Sequence, residues 1–455
     1  MEKRYRYTED QPLGLDAEHS PVVDDVSDEN VQDVFGDEKD AQIRYKTMPW
    51  QLVAVLMIAE IISNGMLSLP SSLAVVGIVP GVILIVFLGI FGTFTAWLLI
   101  LFKLKHPEVH TMGDAGYILF GPVGREILSG GTVIFAVLLT GGQILAGQLA
   151  LGVLSENKLC AMLYAGIFAI PTAIISLPRT LDRLSWISVP SVISILVAGV
   201  VGMVGAGLNP LPGRVIDATI NTSFVTAFFS ITNPVFAYAG HFMFFILISE
   251  MKNPRDAMKA AWTLQGFATT FYTVFAVVTY VYIGNGVESP SFGSLPPVWS
   301  KAAYGIAIPN FLIAGSLYSH TAAKLIMVRI FRKTRHIHQH TALGWSVWIV
   351  LIILMNGAGF VLAVGVPIFN YLIGIAAALF ATWYTYGIAG LFWIYDIYHY
   401  KGGAKALTGR PFMFTLCILT FIAGAFICVA GTYVTIVSIV QAYQAGTIPP
   451  PFTCG

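Results

Sequence analysis

The chain has 455 residues, of which 56% are hydrophobic and 11% are charged, with a mean hydropathy of +0.75. Soluble domains carry about 25% charged residues, so this composition excludes an ordinary water-soluble globule. Residues 1–46 hold 19 of the 49 charged residues, with 6 Lys/Arg and 13 Asp/Glu. The net charge of +1 therefore combines a tail of −7 with a body of +8. The basic residues of the body stand in short clusters between apolar runs, which argues against nucleic-acid binding.

Residues 1–46 are polar and acidic, and they predict a disordered cytoplasmic tail. This region has no short apolar segment with a small-residue cleavage site, so a cleaved signal peptide is not expected.

Apolar runs of helical length predict an all-α membrane protein with eleven spans. The spans are 48–76, 78–103, 126–154, 159–178, 184–208, 222–249, 261–284, 302–331, 341–365, 367–395 and 411–440. The ninth and tenth spans are separated at Pro367. The predicted units are a first five-helix repeat at 47–208, an outer loop at 209–221, a second repeat at 222–395, a cytoplasmic loop at 396–410, the eleventh helix and an extracellular tail at 441–455.

Charge placement predicts the orientation, because loops rich in Lys and Arg stay in the cytoplasm. With the N-terminus inside, the inner loops and tail hold 22 of the 25 basic residues, and the C-terminus lies outside. The sequon at Asn221 then falls on an outer loop and is a weak glycosylation candidate. Cys160 and Cys454 also fall on the outer side, where two free thiols are favoured over a disulfide.

Two spans are interrupted at corresponding positions. The first contains AEIISNGMLSLP, from Ala59 to Pro70, and the sixth contains NPVFAYAGH, from Asn233 to His241. Proline removes a backbone donor, glycine lets the chain leave helical geometry, and freed backbone groups are tolerated in a membrane only where protein or a cavity surrounds them. Paired breaks five spans apart predict an inverted repeat with the substrate site at the breaks. The alternative is that each break is a packing kink.

Glu60 is the only acidic residue well inside a predicted span. Placing an acid at mid-membrane costs about 2.5 to 3.5 kcal/mol, and desolvation favours its protonated form. Because Ser63 and Asn64 follow at i+3 and i+4, Glu60 shares a helix face with the break. The interpretation is a proton-coupling carboxylate, and the alternative is a protonated Glu bonded to a neighbouring helix.

Further coupling candidates are His241, His320 and Lys324. His241 ends the second break, although a satisfied core imidazole explains it equally well. Ser316, His320 and Lys324 form one polar stripe at i, i+4 and i+8, in which Lys324 alternatively snorkels to the cytoplasmic interface.

The breaks also predict a zwitterionic substrate. Free N–H groups where the first span restarts, at Gly65 and Met66, suit a carboxylate, and released carbonyls such as that of Ser230 suit an ammonium group. With no second acid in the predicted cavity, neutral amino acids are favoured. The candidate substrate-binding residues are Ser63, Asn64, Gly65, Met66, Thr140, Gln143, Ser230, Phe236, Ala237, Tyr238, Ala239 and Gly240. No ATP-binding, hydrolase or metal motif is recognised, so we expect neither an enzyme nor a cofactor.

Three stretches resemble the amino acid/auxin permease family, and within it the fungal neutral amino-acid permeases of the methyltryptophan-resistance type. They are AEIISNGMLSLP (59–70), MGDAGYILFGPVGR (112–125) and YAGHFMFFILISEMKNP (238–254). The resemblance implies a LeuT-like fold of two inverted five-helix repeats plus a further helix, and amino-acid symport, in fungi commonly with protons. Some relatives use sodium bound between the first and eighth spans, where this chain has Ser316, Ser319 and Thr321.

Together these features predict a monomeric, proton-coupled symporter of neutral amino acids in the plasma membrane, with the amino acid and the lipid bilayer as its partners. Sodium coupling, a vacuolar membrane and an amino-acid sensor of the same fold are the alternatives.

Overall fold

A computed structural model of the chain describes residues 35, 38, 41–332, 334–366, 368–446 and 451–454. Over these residues the chain is built from helices and contains no named β-strand, which confirms the all-α prediction. The helices run from α1 to α16 with one π-helical segment. They are α1 (Trp50–Ile61), α2 (Asn64–Val76), α3 (Ile78–Lys105), α4 (Met112–Ser155), α5 (Ala161–Ile175), α6 (Leu181–Leu208), α7 (Phe224–Ala237), α8 (Phe244–Ser249), α9 (Ala257–Ile283), α10 (Pro297–Phe331), α11 (Arg335–His338), α12 (Ala342–Gly365), α13 (Phe369–Ala376), the π helix (Ala377–Gly387), α14 (Ala389–Tyr400), α15 (Gly403–Thr408) and α16 (Pro411–Gln444).

Nine helical segments among the described residues are long and apolar enough to cross a membrane, and the bent pair α1 and α2 makes a tenth. The predicted fourth span coincides with α5, an apolar helix of 15 residues. At 1.5 Å per residue this helix covers about 22 Å, which is less than the roughly 30 Å of a bilayer core. The eleven predicted spans therefore all correspond to apolar helices, of which one is short.

Both predicted breaks are present. The axis bends by 50° between α1 and α2, where Ile62 and Ser63 leave helical geometry. The sixth span is α-helical up to Ala237. A turn and one 3₁₀ segment follow, and α-helix begins again at Phe244. Pro70 and Pro234 lie within α2 and α7, beside rather than at the breaks. Glycine and proline therefore indicate the right part of each span. The backbone itself leaves helical geometry a few residues away from each proline.

Helix α4 begins at Met112, fourteen residues before the predicted start of the third span at 126, but the part after its kink at Gly121 begins within a few residues of that position. Thr111 caps α4 by accepting a hydrogen bond from the backbone N–H of Asp114, whose carboxylate in turn accepts one from the Thr111 N–H. The helix then kinks at Gly121, where φ is +66°, just before Pro122. A short capped segment thus precedes the long buried part of α4.

The tenth span differs from a plain helix. After α13 the chain winds as a π helix for the eleven residues Ala377–Gly387 and returns to α geometry at Ala389. The widened π segment packs against α16 and also contacts α3, α4 and α7. The predicted separator Pro367 lies outside the described residues.

Most of the predicted acidic tail lies outside the described residues, but residues 41–46 are described and are packed rather than disordered. The Ile43 N–H donates to the His338 carbonyl at 3.0 Å, and the Tyr45 hydroxyl donates to the Ile337 carbonyl at 3.2 Å. Both side chains are buried against α10 and α12. The predicted tail boundary at residue 46 is therefore too late.

Two links between residues far apart in sequence lie at opposite ends of the bundle, a His–Asp contact and a disulfide. Next to α3, His106 Nε2 lies 2.9 Å from Asp396 Oδ1 on α14. Burial opposes protonation of His106, but hydrogen bonds to Asp396 and Glu108 outweigh it and raise the pKa of the imidazole. At the opposite end Cys160 and Cys454 form a disulfide, so the expectation of two free thiols is wrong. The two cysteines are 294 residues apart in sequence, which is why spacing alone gave no signal for the pair.

Candidate functional site

The two broken spans touch each other at their breaks. A methyl group built on Gly65, in the first turn of α2, would lie 2.6 Å from the Cα atom of Ala237 at the end of α7. No real side chain fits at that distance, so this contact requires glycine. The hydroxyl of Tyr272 on α9 lies 2.8 Å from both the Ile61 and Ala237 carbonyl oxygens. One side chain therefore bridges the two interrupted spans.

Three carbonyls at the first break accept hydrogen bonds from side chains, and that of Ile61 also accepts one from the Ser63 N–H at 3.0 Å. Asn310 Nδ2 donates to the Ala59 carbonyl at 3.2 Å, and the Tyr318 hydroxyl donates to the Glu60 carbonyl at 2.7 Å. The third carbonyl, that of Ile61, faces the Tyr272 hydroxyl. Three consecutive backbone acceptors that an intact helix would satisfy are thus satisfied by neutral donors from α9 and α10.

A small cavity lies between the breaks. The space open to the centre of a water-sized sphere is about 10 Å³, which is about what one water molecule needs. The cavity is lined by Glu60, Ile61, Asn64, Gly65, Leu139, Gln143, Phe236, Ala239 and Tyr318. Six of these residues are among the predicted site residues, and Ile61, Leu139 and Tyr318 are additions. The surrounding helices are therefore closed tightly around the predicted site.

Glu60 contributes the carboxyl group of this lining. It is 1% exposed, and neither carboxylate oxygen has a hydrogen-bond partner among the described residues. A methyl group built on Gly240, in the second break, would lie 3.5 Å from Glu60 Oε1. The carboxyl group therefore lies buried between the two breaks, with neither oxygen bonded to a described residue.

The N-terminus of α2 opens toward the same cavity. Ser63 precedes the helix but does not cap it, because its hydroxyl donates instead to Gln143 Oε1 at 3.1 Å. The N–H groups of the first turn, which includes Asn64, Gly65 and Met66, have no partner within the helix. An uncapped helix N-terminus offers N–H donors and a positive dipole end to an anion.

Several predicted binding residues lie away from the cavity. The Ser230 carbonyl already accepts a hydrogen bond from Ser72 Oγ at 2.8 Å, so it is not free for an ammonium group. Thr140 bonds to the Ala136 carbonyl within its own helix, and Tyr238 bonds to the Ile85 carbonyl on α3. Met66 is buried next to Gly199 of α6.

Asn221 is exposed in the segment that precedes α7, in keeping with an accessible sequon.

His241 faces α3. Its Nε2 donates to the Gly92 carbonyl at 2.8 Å and lies 3.4 Å from Thr95 Oγ1. The imidazole stacks on Phe244 with a centroid separation of 4.6 Å. His241 is thus held on the far side of the second break from the cavity, next to Gly240, which adjoins Glu60.

The hydroxyls of the alternative sodium site bond to other parts of the protein. Ser316 Oγ donates to the Thr172 carbonyl at 2.9 Å, and Ser319 Oγ lies 2.7 Å from Ser176 Oγ. Thr321 Oγ1 donates to the Leu317 carbonyl in its own helix. His320 packs edge-on against Trp348, and its Nδ1 lies 3.4 Å from the Ser176 carbonyl. This face of α10 therefore packs on α5 and α12 rather than on the broken first span.

Lys324 does not snorkel, because its side chain is 3% exposed and forms an ion pair with the fully buried Glu250. The second Glu250 oxygen accepts the Leu181 N–H at 3.2 Å, and its carbonyl accepts the Met48 N–H at 3.1 Å. The Tyr45 ring covers the ammonium group at 4.7 Å. Sequence reasoning missed Glu250 because it directly follows the sixth span and was counted with the inner loop.

The chain is similar in sequence to membrane transporters over nearly its whole length. The profile of the family described as transmembrane amino acid transporter protein matches residues 46–437. A transmembrane transporter from Gibberella moniliformis is 31% identical over 93% of this chain and 90% of its own length. The N amino acid transport system protein of Neurospora crassa is 28% identical over 93% of this chain and 92% of its own.

Solved structures with the same fold include two transporters of low sequence identity. The transporter MhsT in complex with L-phenylalanine has a TM-score of 0.53 at 13% identity, covering 86% of this chain and 100% of its own. A Na⁺-coupled sialic acid symporter has a TM-score of 0.57 at 12% identity, covering 88% and 92%. At these identities the likeness concerns the fold alone, and it confirms the LeuT-like architecture.

Proposed function

The chain belongs to the transmembrane amino acid transporter family, and we propose that it is a proton-coupled symporter of neutral amino acids. The observation that carries the proposal is the unpartnered Glu60 carboxyl in a cavity between two broken spans. In a LeuT-like membrane transporter the paired breaks mark the substrate site, and Glu60 supplies a group there that can carry a proton. The cavity has room for about one water molecule in this closed arrangement, so it must widen to admit a substrate.

The cavity lining supports a zwitterion with an uncharged side chain. The α2 N-terminus, at Asn64 and Gly65, presents N–H donors to a carboxylate. Leu139, Phe236 and Ala239 provide apolar surface for the substrate side chain. Among the described lining residues Glu60 carries the one ionisable carboxyl, and no Lys, Arg or His joins it. A cationic or anionic substrate side chain would lack a counter-charge.

The proposed coupling follows from repulsion between carboxylates. An ionised Glu60 would share the cavity with the substrate carboxylate, and two like charges in a low-dielectric site disfavour each other strongly. Protonation of Glu60 removes that repulsion, so proton and amino acid bind cooperatively. Release of either partner on the low-proton side then favours release of the other.

Sodium coupling is the second candidate, and the contacts at the first break disfavour it. A sodium ion between the first and eighth spans needs several oxygen ligands with free lone pairs directed at it. The carbonyls of Ala59, Glu60 and Ile61 instead accept hydrogen bonds from neutral side chains. These donors take the place that a cation would fill, and Ser316 and Ser319 are bonded to α5.

Transport also requires the closed site to open on alternate sides. On one side the Glu250–Lys324 pair joins α10 to the segment after α8, with Met48 and the N-terminus of α6 bonded to the same glutamate. By the distribution of Lys and Arg we assign this side to the cytoplasm. The Cys160–Cys454 disulfide at the other end supports an oxidising outer compartment.

We propose that the protein lies in the plasma membrane, with its N-terminus inside and its C-terminus outside the cell. The vacuolar membrane remains the alternative, and imaging of a tagged chain distinguishes the two. An amino-acid sensor of the same fold is a further alternative, and it predicts that deletion of residues 1–40 abolishes signalling but spares binding.

The test is uptake of labelled amino acids into proteoliposomes with an imposed pH gradient. We expect the gradient to drive accumulation of neutral amino acids without sodium, and Glu60→Gln to lose the dependence on the gradient while still exchanging internal for external substrate. Uptake that is the same with and without the pH gradient would contradict proton coupling. Loss of substrate binding in Glu60→Gln would instead indicate that an ionised Glu60 pairs with the substrate ammonium group.

A further inference from the structure

Residues 41–48, which we call the strap, lie just before α1 on the side that we assign to the cytoplasm. One end of the strap is bonded to the segment after α8. The Met48 N–H donates to the Glu250 carbonyl at 3.1 Å, and the Lys252 N–H donates to the Met48 carbonyl at 2.8 Å. Met48 is fully buried and lies two residues before Trp50, where α1 begins. This end of the strap is therefore attached to α1 and α8, the inner halves of the two broken spans.

The other end of the strap is bonded to α11, a helix of four residues between α10 and α12. The last carbonyl groups of so short a helix have no partner within it. The Tyr45 hydroxyl donates to the Ile337 carbonyl at 3.2 Å, and the Ile43 N–H donates to the His338 carbonyl at 3.0 Å. The strap therefore joins the inner halves of the broken spans to the connection between α10 and α12.

Between its two ends the strap covers the buried Glu250–Lys324 ion pair. The Tyr45 ring lies 4.7 Å from Lys324 Nζ. Phe35 stacks on the Tyr45 ring with a centroid separation of 4.3 Å and meets His110, just before α4, edge-on at 5.2 Å. All three rings are buried. The strap thus closes the place where the start of α4, the end of α8 and α10 come together.

This place lies on the cytoplasmic side of the cavity. Tyr318 of α10 lines the cavity and donates to the Glu60 carbonyl on α1. Lys324 is six residues further along α10, which places it about 9 Å closer to the cytoplasm. From the cavity outward, Tyr318, the Glu250–Lys324 pair and Tyr45 therefore follow one another. Any opening between α10 and the inner halves of the broken spans must break the contacts of the strap at one of its ends.

We propose that the strap holds the transporter closed toward the cytoplasm, and that its detachment from α11 at Tyr45 accompanies each opening to that side. The contacts that it makes with α10 and α11 are a ring over an ammonium group and single hydrogen bonds. Such contacts are weak enough to break and form again in every cycle. The inference rests on the proposed alternating-access transport.

Labelling of a buried thiol tests the strap. Thr321 is fully buried on α10, three residues from both Tyr318 and Lys324, and its hydroxyl donates to the Leu317 carbonyl of its own helix. Thr321→Cys is therefore a reporter for opening toward the cytoplasm, and its rate of reaction with a maleimide in detergent measures how often that opening occurs. The protein without the reporter gives the background from the native cysteines.

We expect Tyr45→Ala to raise the labelling rate of the reporter about tenfold or more, equivalent to at least about 1.4 kcal/mol in the equilibrium between closed and open forms. Tyr45→Phe keeps the ring and loses the hydroxyl bond, so it should raise the rate about threefold. Tyr400→Ala is the matched control, because the Tyr400 ring lies 3.9 Å from Lys105 Nζ and covers that ammonium group in the same way, but belongs to α14. It should change the rate less than about twofold.

A second reporter separates opening from general loosening. Thr279→Cys replaces an equally buried threonine near the outer end of α9, and its labelling should not rise in Tyr45→Ala. The strap is overturned if Tyr45→Ala raises labelling at Thr321→Cys no more than Tyr400→Ala does, or raises it equally at both reporters. If Tyr45→Ala does not fold, Tyr45→Phe against Tyr400→Phe decides by the same criteria. The labelling needs neither substrate nor a pH gradient, so absence of proton-driven uptake would refute the proposed symport and leave this result unaffected.

Discussion

The buried ion pair between Glu250 and Lys324 allows a quantitative prediction. Their side chains are 0% and 3% exposed, so removing one partner leaves an uncompensated charge in the protein interior. We expect Lys324→Met and Glu250→Gln each to lower the free energy of unfolding by about 3–5 kcal/mol. The double variant should cost about 1–2 kcal/mol, because no charge remains and the glutamine oxygen still accepts the Leu181 N–H.

The assay is unfolding by SDS titration in mixed micelles, arranged as a double-mutant cycle. Lys301→Met is the control, because Lys301 pairs with Glu156 at a position where these side chains are 35% and 65% exposed. That exposed pair should contribute less than about 1 kcal/mol. The reasoning would be refuted if Lys324→Met cost no more than Lys301→Met, or if the double variant lost the sum of the two single losses.

Two other predictions concern the breaks and the α3–α14 link. Gly65→Val should abolish uptake, because the new side chain would collide with the backbone of Ala237. The matched control Gly266→Val should still transport, since a methyl group there would meet nothing within 4 Å. Comparable uptake by the two variants would contradict the close contact at Ala237. The raised pKa of His106 means that its protonated form adds stability at low pH, which is lost as pH rises through that pKa. The thermal midpoint should therefore fall as the pH rises above about 6.5, the ordinary pKa of histidine. His106→Gln should flatten this fall, and equal slopes in both proteins would argue against the link.

Much of the site could be predicted from local chemistry. Glycine, proline and an isolated acid are conspicuous in apolar runs, so Glu60, Asn64 and Gly65 were identified as parts of one break, and Gln143 as a polar group on a third span. Such signals lie within a few residues of sequence. The backbone and solvation requirements behind them hold whatever the tertiary packing.

The remaining contacts depend on how distant helices meet. Tyr272, Asn310 and Tyr318 satisfy the freed carbonyls, but a tyrosine or asparagine in an apolar helix gives no indication of its partner. Glu250 follows a span directly, and only its contact with Lys324 distinguishes it from an ordinary loop residue. The family resemblance suggests Ser316 and Ser319 as sodium ligands between the first and eighth spans, whereas in the structure both hydroxyls bond to α5 and its C-terminal end.

Tyr272 has a consequence for the order of events in a transport cycle. A phenol has one proton, and two carbonyls lie 2.8 Å from its oxygen, so only one can receive a well-aligned hydrogen bond at a time. If the hydroxyl stays with Ala237 when the broken spans separate, the Ile61 carbonyl keeps the Ser63 N–H as a donor at 3.0 Å. If it stays with Ile61, the Ala237 carbonyl loses the phenol as its donor. That exposed acceptor makes the opened arrangement unfavourable until an N–H⁺ group or water replaces the phenol. Tyr272 thus joins the two broken spans when no substrate is bound. An arriving ammonium group would stabilise the opened arrangement by donating to the carbonyl that Tyr272 leaves.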